Sequence, residues 1–566
     1  MLHDDDSDCS CPSHDMQEGR KTRLWALGIL AVVSGFWIAL RSGSKPTRIV
    51  YPCQQVALSN IQVFKVAVLA LIPSIGRIRF LLGKMKPVAV LVALIVGTVL
   101  LTGNSIGPGL VFTAAEDNNY IRVPLVLTNY TSAEAVSDLY IVQNATGENG
   151  NMDAAIGALL DMMESEDRGF YKSSQTPSGM IESDDVIILK VNSQWASRGG
   201  TNTDLVKSVI TAIGNHPDGF TGEIVVADNG QGLGNLDYFH ANSYYRNQSV
   251  TDVVNSFSEF NVSTYLWDTL RSSTVDEYSE GNLTDGYVLN STWDSNTEIF
   301  TSYPKFRTIH GTYISFRNGV WDSETGYDSN RLKVINMPVL KSHFRYGVTG
   351  CVKNYMGLPK GHIVGSVDPG IPHEHFSIAQ GGLATLMVQT RAPVLNILDM
   401  VWVNAHPMES STQRGPWSEY SSASFTDIIG ASQDPVALDY WASKNVLCGT
   451  AEYLNYTTYS SLSPDYEPLS DQYYGSDPMD ESFHNYLERS MNVLVNAGYS
   501  ATMNETEMNA YVVQLVGTAT PGPTTTPRPT GSPDGWLDIP ITMVLLLPIA
   551  AVIVAIAAVM VRRRDA

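Results

Sequence analysis

Between Val334 and His375 the chain concentrates side chains able to do polar chemistry. Lys341, His343, Arg345, Lys353 and Lys360 place five basic groups within twenty residues of a chain that is acidic as a whole. Gly347, Gly350 and Gly357 are interleaved with them and allow a backbone to approach a ligand closely. Thr349 and Asn354 add hydrogen-bond donors. Cations, small residues and neutral donors on one loop predict a pocket for a carboxylate or a phosphate. The plainer alternative is a solvated basic loop. His343 has the chemistry of a general base, a general acid or a metal ligand. His362, His373 and His375 follow, so four of the eleven histidines fall within 33 residues. His373 and His375 are the candidate metal ligands, because on a strand both would face one side; an exposed loop pair is the simpler reading.

Such a loop needs elements to hold it. Asp185 to Val191 (DVIILKV) and Glu223 to Ala227 (EIVVA) are continuous apolar runs, as expected of parallel strands buried on both faces. Asp138 to Gln143, Lys333 to Met337 and Val394 to Val401 read as further strands. Met152 to Met163 has helical periodicity, Thr203 to Ile213 reads as a helix with Thr203 as N-cap, and Asp434 to Asn445 as a third. Strands alternating with helices predict an α/β domain with a largely parallel sheet and flanking helices. Ligands of such sheets bind beyond the carboxyl ends of the strands. Lys190, Asn192 and Asp228 lie there and join the candidate site, Lys190 because a lysine ending a buried run needs a partner. Asp228, before Asn229-Gly230, also suits a turn. Asp434 is a candidate ligand-binding residue, although Asp-Pro is equally the start of a helix. Residues 235–330, rich in Tyr, Asn, Ser and Asp, read as a surface insertion.

The chain has 566 residues, 57 of them acidic and 36 basic, for a net charge of −21. That balance argues against nonspecific nucleic-acid binding, which needs a basic surface. An apolar content of 44% is enough for a large core, and five cysteines exclude a cystine-rich scaffold. The apolar residues are unevenly spread. Leu24 to Leu40, Pro87 to Thr102 and Ile541 to Val561 are uncharged stretches of near-spanning length, and Ile61 to Ile75 is a weaker fourth. Basic clusters at residues 20–23, 77–86 and 562–564 orient them by the positive-inside rule. The expected organisation is a cytoplasmic tail (1–23), a membrane region with two or three transmembrane helices (24–103) and an extracytoplasmic α/β domain (104–517). A Thr/Pro-rich stalk (518–535) and a C-terminal transmembrane anchor (536–566) complete it. Eight Asn-x-Ser/Thr sequons, all within the outer segment, agree with a glycoprotein at a cell membrane. An acidic, stalked surface protein with an Arg-terminated anchor has an archaeal look. The expected partners are the membrane and a small anionic ligand, with no nucleic acid; oligomeric state and cofactor stay open.

Three separated blocks resemble a known family. Pro338-Val339-Leu340-Lys341-Ser342-His343 precedes Gly347-Val348-Thr349-Gly350-Cys351-Val352-Lys353-Asn354, with Gly357 and Pro359 beyond. Upstream stands Leu189-Lys190-Val191-Asn192, followed by Asp228; downstream stands Asp434-Pro435-Val436-Ala437-Leu438-Asp439. In this order they resemble the domain of unknown function 362 family, over roughly residues 135–450. The resemblance implies a fold and a site rather than a reaction. Some members of that family carry a ferredoxin-like cluster domain; Cys9, Cys11, Cys53, Cys351 and Cys448 offer no Cys-x2-Cys-x2-Cys run for one. Cys351 and Cys448 are both placed outside and could pair. The spacing of His343 and Lys353 across a Gly-rich segment is also similar to the lactate racemase family, with His373 or His375 in the place of a nickel ligand, but no histidine stands near Asp228. The readings carried forward are an enzyme on a small anionic substrate, a binding module without catalysis, and a metal-dependent or redox protein. In the first, His343, Lys353 and Asp228 are catalytic, and Lys190, Asn192, Lys341, Thr349, Asn354 and Asp434 bind the ligand.

Overall fold

The computed structural model describes residues 121–516, apart from 147–150, 197, 241–247, 291, 344–345, 361–377, 379, 407–422, 457–458 and 468–482. The four apolar stretches, the stalk, Arg345, His362, His373 and His375 lie outside the described residues. Among the described residues, no helix is long and apolar enough to cross a membrane.

Among the described residues, seventeen strands form in chain order. The first three are β1 (Ser137–Gln143), β2 (Val186–Lys190) and β3 (Glu223–Asp228), followed by the short pair β4 (Phe239–His240) and β5 (Gln248–Ser249), then β6 (Asn261–Leu266). Next come β7 (Gly286–Leu289), β8 (Ser302–Arg307), β9 (Tyr313–Ser315), β10 (Gly319–Asp322) and β11 (Gly326–Asp328). The last are β12 (Leu332–Asn336), β13 (Val339–His343), β14 (Gly347–Thr349), β15 (Leu395–Asn404), β16 (Ser424–Ser432) and β17 (Met508–Gln514). The main sheet has the order β17-β1-β16-β15-β12-β2-β3-β6, with β13 continuing alongside β15 and β14 paired to β13. Every pairing from β6 across to β15 is parallel, and β16 runs against both of its neighbours. The fold is therefore α/β with a largely parallel sheet.

The apolar runs form central strands because both sides of each strand are covered. Val186 and Ile188 of β2, with Val225 and Ala227 of β3, join one core that holds Trp267, Phe306 and Phe316. Ile187, Leu189, Ile224 and Val226 join the other core. Helices α1 (Asn151–Ser165), α2 (Thr203–Gly214) and α3 (Val250–Asn255) pack into that second core through Leu159, Val209 and Val253. The first core also takes apolar residues of α5 (Gly382–Gln389), α6 (Pro435–Ala442) and α8 (Phe483–Asn496), namely Leu386, Leu438 and Leu487. Two short helices, α4 (Cys351–Asn354) and α7 (Gly449–Tyr453), are the remaining α-helices among the described residues.

Three expectations need correction. The N-cap of α2 is Asn202, not Thr203: its Oδ1 accepts the N–H groups of Asp204 at 2.9 Å and Leu205 at 3.2 Å. The helix begun at Asp434 keeps α geometry only to Ala442 and then widens into a π turn over Ser443–Cys448. The segment 235–330 is more than a surface insertion, because it supplies β6 to the main sheet and folds into a five-stranded antiparallel sheet, β11-β10-β9-β8-β7. That second sheet buries Phe306 and Tyr287 in the common core. Cys351 and Cys448 are separate free thiols.

Candidate functional site

From β2 the chain adds β3 and β6 on one side, then crosses back to place β12 and β15 on the other. The crevice at the carboxyl ends of β2 and β12 is thus the point where strand order reverses, the usual ligand position in open α/β sheets. A cleft of about 100 Å³ lies there, and its walls include Lys190, Asn192, Asp228, Lys341, His343, Thr349, Lys353 and Asn354. Residues up to 164 positions apart in sequence are brought to one place.

The floor is a locked polar network. Lys190 Nζ is 2.5 Å from Asp228 Oδ1, 2.9 Å from the carbonyl of Val191 and 3.2 Å from Asn354 Oδ1. An ammonium has three N–H donors, so all of them are used. Burial holds Lys190 below its ordinary pKa, opposed by the Asp228 charge. The other oxygen of Asp228 accepts from Ser193 N at 2.7 Å and Ser193 Oγ at 2.9 Å. Asn354 Nδ2 donates to the carbonyl of Lys190 at 3.2 Å and to Asn336 Oδ1 at 2.8 Å, and Asn336 in turn donates to Asn396. Lys190, Asp228 and Asn354, expected as ligand or catalytic groups, are therefore engaged with one another and shape the floor. Gly357 belongs to the same lock: a Cβ on it would fall on Asp228 Oδ1 and Lys190 Nζ.

The wall is a hairpin. The segment expected as a basic loop pairs as β13 with β14, Lys341 opposite Thr349 and His343 opposite Gly347. Lys341, His343 and Thr349 all border the cleft, as alternation along a strand allows. The polar residues at 341 and 343 belong to a strand whose polar side faces a crevice instead of solvent, which is why the pattern reads as a loop. Gly347 has φ +77° in the left-handed region and lies close against Ser461. Lys341 is 2% exposed and donates to the carbonyl of Gly199. Burial pushes it down to about 7, with Asp228 and Asp399 opposing and Lys190 adding to the drop. Lys353 is carried by α4, whose first N–H groups are held by a remote carboxylate. Asp439 accepts from Cys351 N at 2.6 Å and Val352 N at 2.9 Å. A Cβ on Gly350 would strike that carboxylate. Burial pushes Asp439 up to about 7 despite these bonds and lifts the Cys351 thiol well above its ordinary value.

Asp434 is elsewhere. Its Oδ1 caps α6 through Val436 N at 2.8 Å and Ala437 N at 3.0 Å, and its Oδ2 accepts from Ser137 Oγ at 2.6 Å and Thr502 N at 3.0 Å. It borders a separate cleft with Tyr140 and Arg168. Of the two readings of Asp-Pro, the helix start describes what this carboxylate does. Lys360 also leaves the group and donates to Thr274 Oγ1. Asn229 and Trp195 border the first cleft without having been singled out. Asn229 Nδ2 donates to Tyr287 OH at 2.5 Å and to the carbonyl of Pro359 at 2.8 Å, tying the second sheet to the site. Its place directly after Asp228, at the end of a buried strand, is the signal that could have found it.

Residues 331–444 match the family model described as a domain of unknown function, DUF362. This stretch is therefore similar to the DUF362 family. The matched residues hold β12 through β16 and all of α6, including Lys341, His343, Lys353 and Asp439. Lys190 and Asp228, which complete the cleft, precede the matched residues in sequence. No curated protein and no solved structure matches the chain.

Proposed function

We propose that this chain is a membrane-anchored, extracytoplasmic protein whose DUF362 cleft takes a small anionic substrate. Lys341 and Lys353 are its cationic groups and His343 is the group that moves a proton. The observation that carries the reading is the set of amines along the cleft wall. Among the described residues that line the cleft, Lys190 is paired with Asp228, and Lys341 and Lys353 bring two further amines beside the imidazole of His343. Amines gathered at a crevice are suited to hydrogen-bond a carboxylate or a phosphate. Imidazole is well matched to proton transfer near neutral pH. The apolar stretches, the flanking basic clusters and the placement of the sequons support the membrane reading.

The test is calorimetric titration of the full chain in detergent micelles with acetate and with inorganic phosphate. Binding of either anion, weakened at least tenfold by Lys341→Met or Lys353→Met, is the expected result. No binding of either anion removes the reading. Alkaline extraction of membranes from expressing cells tests the anchor, with the chain expected to stay in the pellet.

A second reading is binding without catalysis. It is favoured by the engagement of both Asp228 oxygens, which leaves that carboxylate no lone role as a base. A reproducible product from a panel of small carboxylates and phosphate esters, lost in His343→Ala, decides for the enzyme.

A further inference from the structure

Two buried polar atoms on the cleft wall find no hydrogen-bond partner among the described residues: Asn192 Oδ1 and Thr349 Oγ1. Both belong to residues that are otherwise well placed. Asn192 follows β2 and its backbone N–H is held by Thr201 Oγ1 at 2.8 Å, which in turn donates to the carbonyl of Met337. Thr349 is 4% exposed and stands directly across the hairpin from Lys341. The nearby ammonium of Lys190 does not serve either atom, because its three donors go to Asp228, Val191 and Asn354. An amide oxygen only accepts, and a hydroxyl donates as well as accepts. Buried polar atoms are nearly always paired, and one that the protein leaves unpaired beside a cleft is suited to a ligand. A simple anion can accept from the lysines and from the Thr349 hydroxyl but offers nothing to Asn192 Oδ1.

We propose that the anion taken by this cleft also carries a polar group next to its charged group: a hydroxyl, which donates to Asn192 Oδ1 and accepts from Thr349 Oγ1, or an amino group, which donates to both. This rests on the anionic reading of the same cleft and narrows it to small hydroxy or amino acids, or their phosphate equivalents. The volume of about 100 Å³ agrees with a ligand of a few heavy atoms. Discrimination follows from the same atoms. A ligand lacking the donor forces the acceptor to stay unpaired in the closed site, which costs about tenfold in affinity or more.

The experiment compares two anions that differ by one hydroxyl, glycolate and acetate, titrated into the full chain in detergent micelles. Glycolate is expected to bind about tenfold more tightly than acetate. In Asn192→Leu the ratio should fall below about threefold, and Thr349→Val, a change of similar shape, should lower it as well. Equal affinities for the two anions in the unaltered chain overturn this inference and leave the anionic reading standing. A preference that survives both substitutions also overturns it, since the donor is then received elsewhere. Failure of both anions to bind overturns the anionic reading and this inference with it.

Discussion

Lys190 and Asp228 end neighbouring parallel strands and meet at 2.5 Å, each almost wholly withdrawn from water. Strand pairing places Lys190 beside Ala227, one residue before Asp228, so the sheet itself sets the approach of the two charges. Removing one member of such a pair strands the other. Lys190→Met or Asp228→Asn should each lower unfolding free energy by about 3–5 kcal/mol. The double change Lys190→Met with Asp228→Leu should recover at least half of that loss, because neither charge is then left alone. Chemical denaturation of the three variants checks this; single variants within about 1 kcal/mol of the parent would show that the pair is not held as described.

Anion binding should depend on pH through Lys341. Burial sets its folded value at about 7, so above that pH the empty cleft holds a neutral amine. A bound anion favours the ammonium, and binding then takes up a proton. Affinity should fall as pH rises beyond 7, by up to about tenfold per unit. Calorimetry in two buffers of different ionisation enthalpy reads the proton directly, and Lys341→Met should abolish the uptake.

Stability should move with pH through Asp439. Its folded value of about 7 stands above the ordinary 3.8. Between those values the folded chain keeps a proton that the unfolded chain has released. The contribution is therefore full below about pH 4 and is lost as pH rises through 7, with a slope of up to about 1.4 kcal/mol per unit. Asp399, also pushed up to about 7 by burial, works in the same direction. Asp439→Asn should flatten the fall in unfolding free energy between pH 4.5 and 7.5 relative to the parent. A curve parallel to the parent's would show that Asp439 does not titrate in this range.

The glycines of the site make a steric prediction. Gly357→Ala would press a methyl group onto the Lys190–Asp228 contact, with the carbonyl of Asn229 also 3.0 Å away. Loss of about 1–3 kcal/mol in stability is expected, together with at least tenfold weaker anion binding. Gly157→Ala, inside α1 where nothing lies within 4 Å of the added carbon, serves as the control and should leave anion binding unchanged while raising stability by about 0.5–1 kcal/mol.

Much of this arrangement could be read from residue order. DVIILKV and EIVVA announce central strands because only a strand covered on both faces is apolar at every position, and the carboxyl-end rule then points to Lys190 and Asp228. The hairpin was hidden because Lys341 and His343 alternate toward a polar crevice, which looks the same in sequence as alternation toward solvent. Asn202 and Thr203 are adjacent and both able to cap, so only geometry separates them. Asp439 could not be assigned at all: its partners are 87 and 88 residues upstream. The second sheet escaped notice because its strands are three to six residues long and punctuated by turns at Gly311, Gly319 and Gly326.

The ladder joining β12 to β2 reaches beyond the architecture. Residues 331–444, excised as a piece, would carry β12 with one flank of amide and carbonyl groups bare, an invitation to self-association. What is recognisable as a recurring sequence unit is then not a unit that can stand alone. A substitution that shifts either strand should unseat the groups that the other one aims.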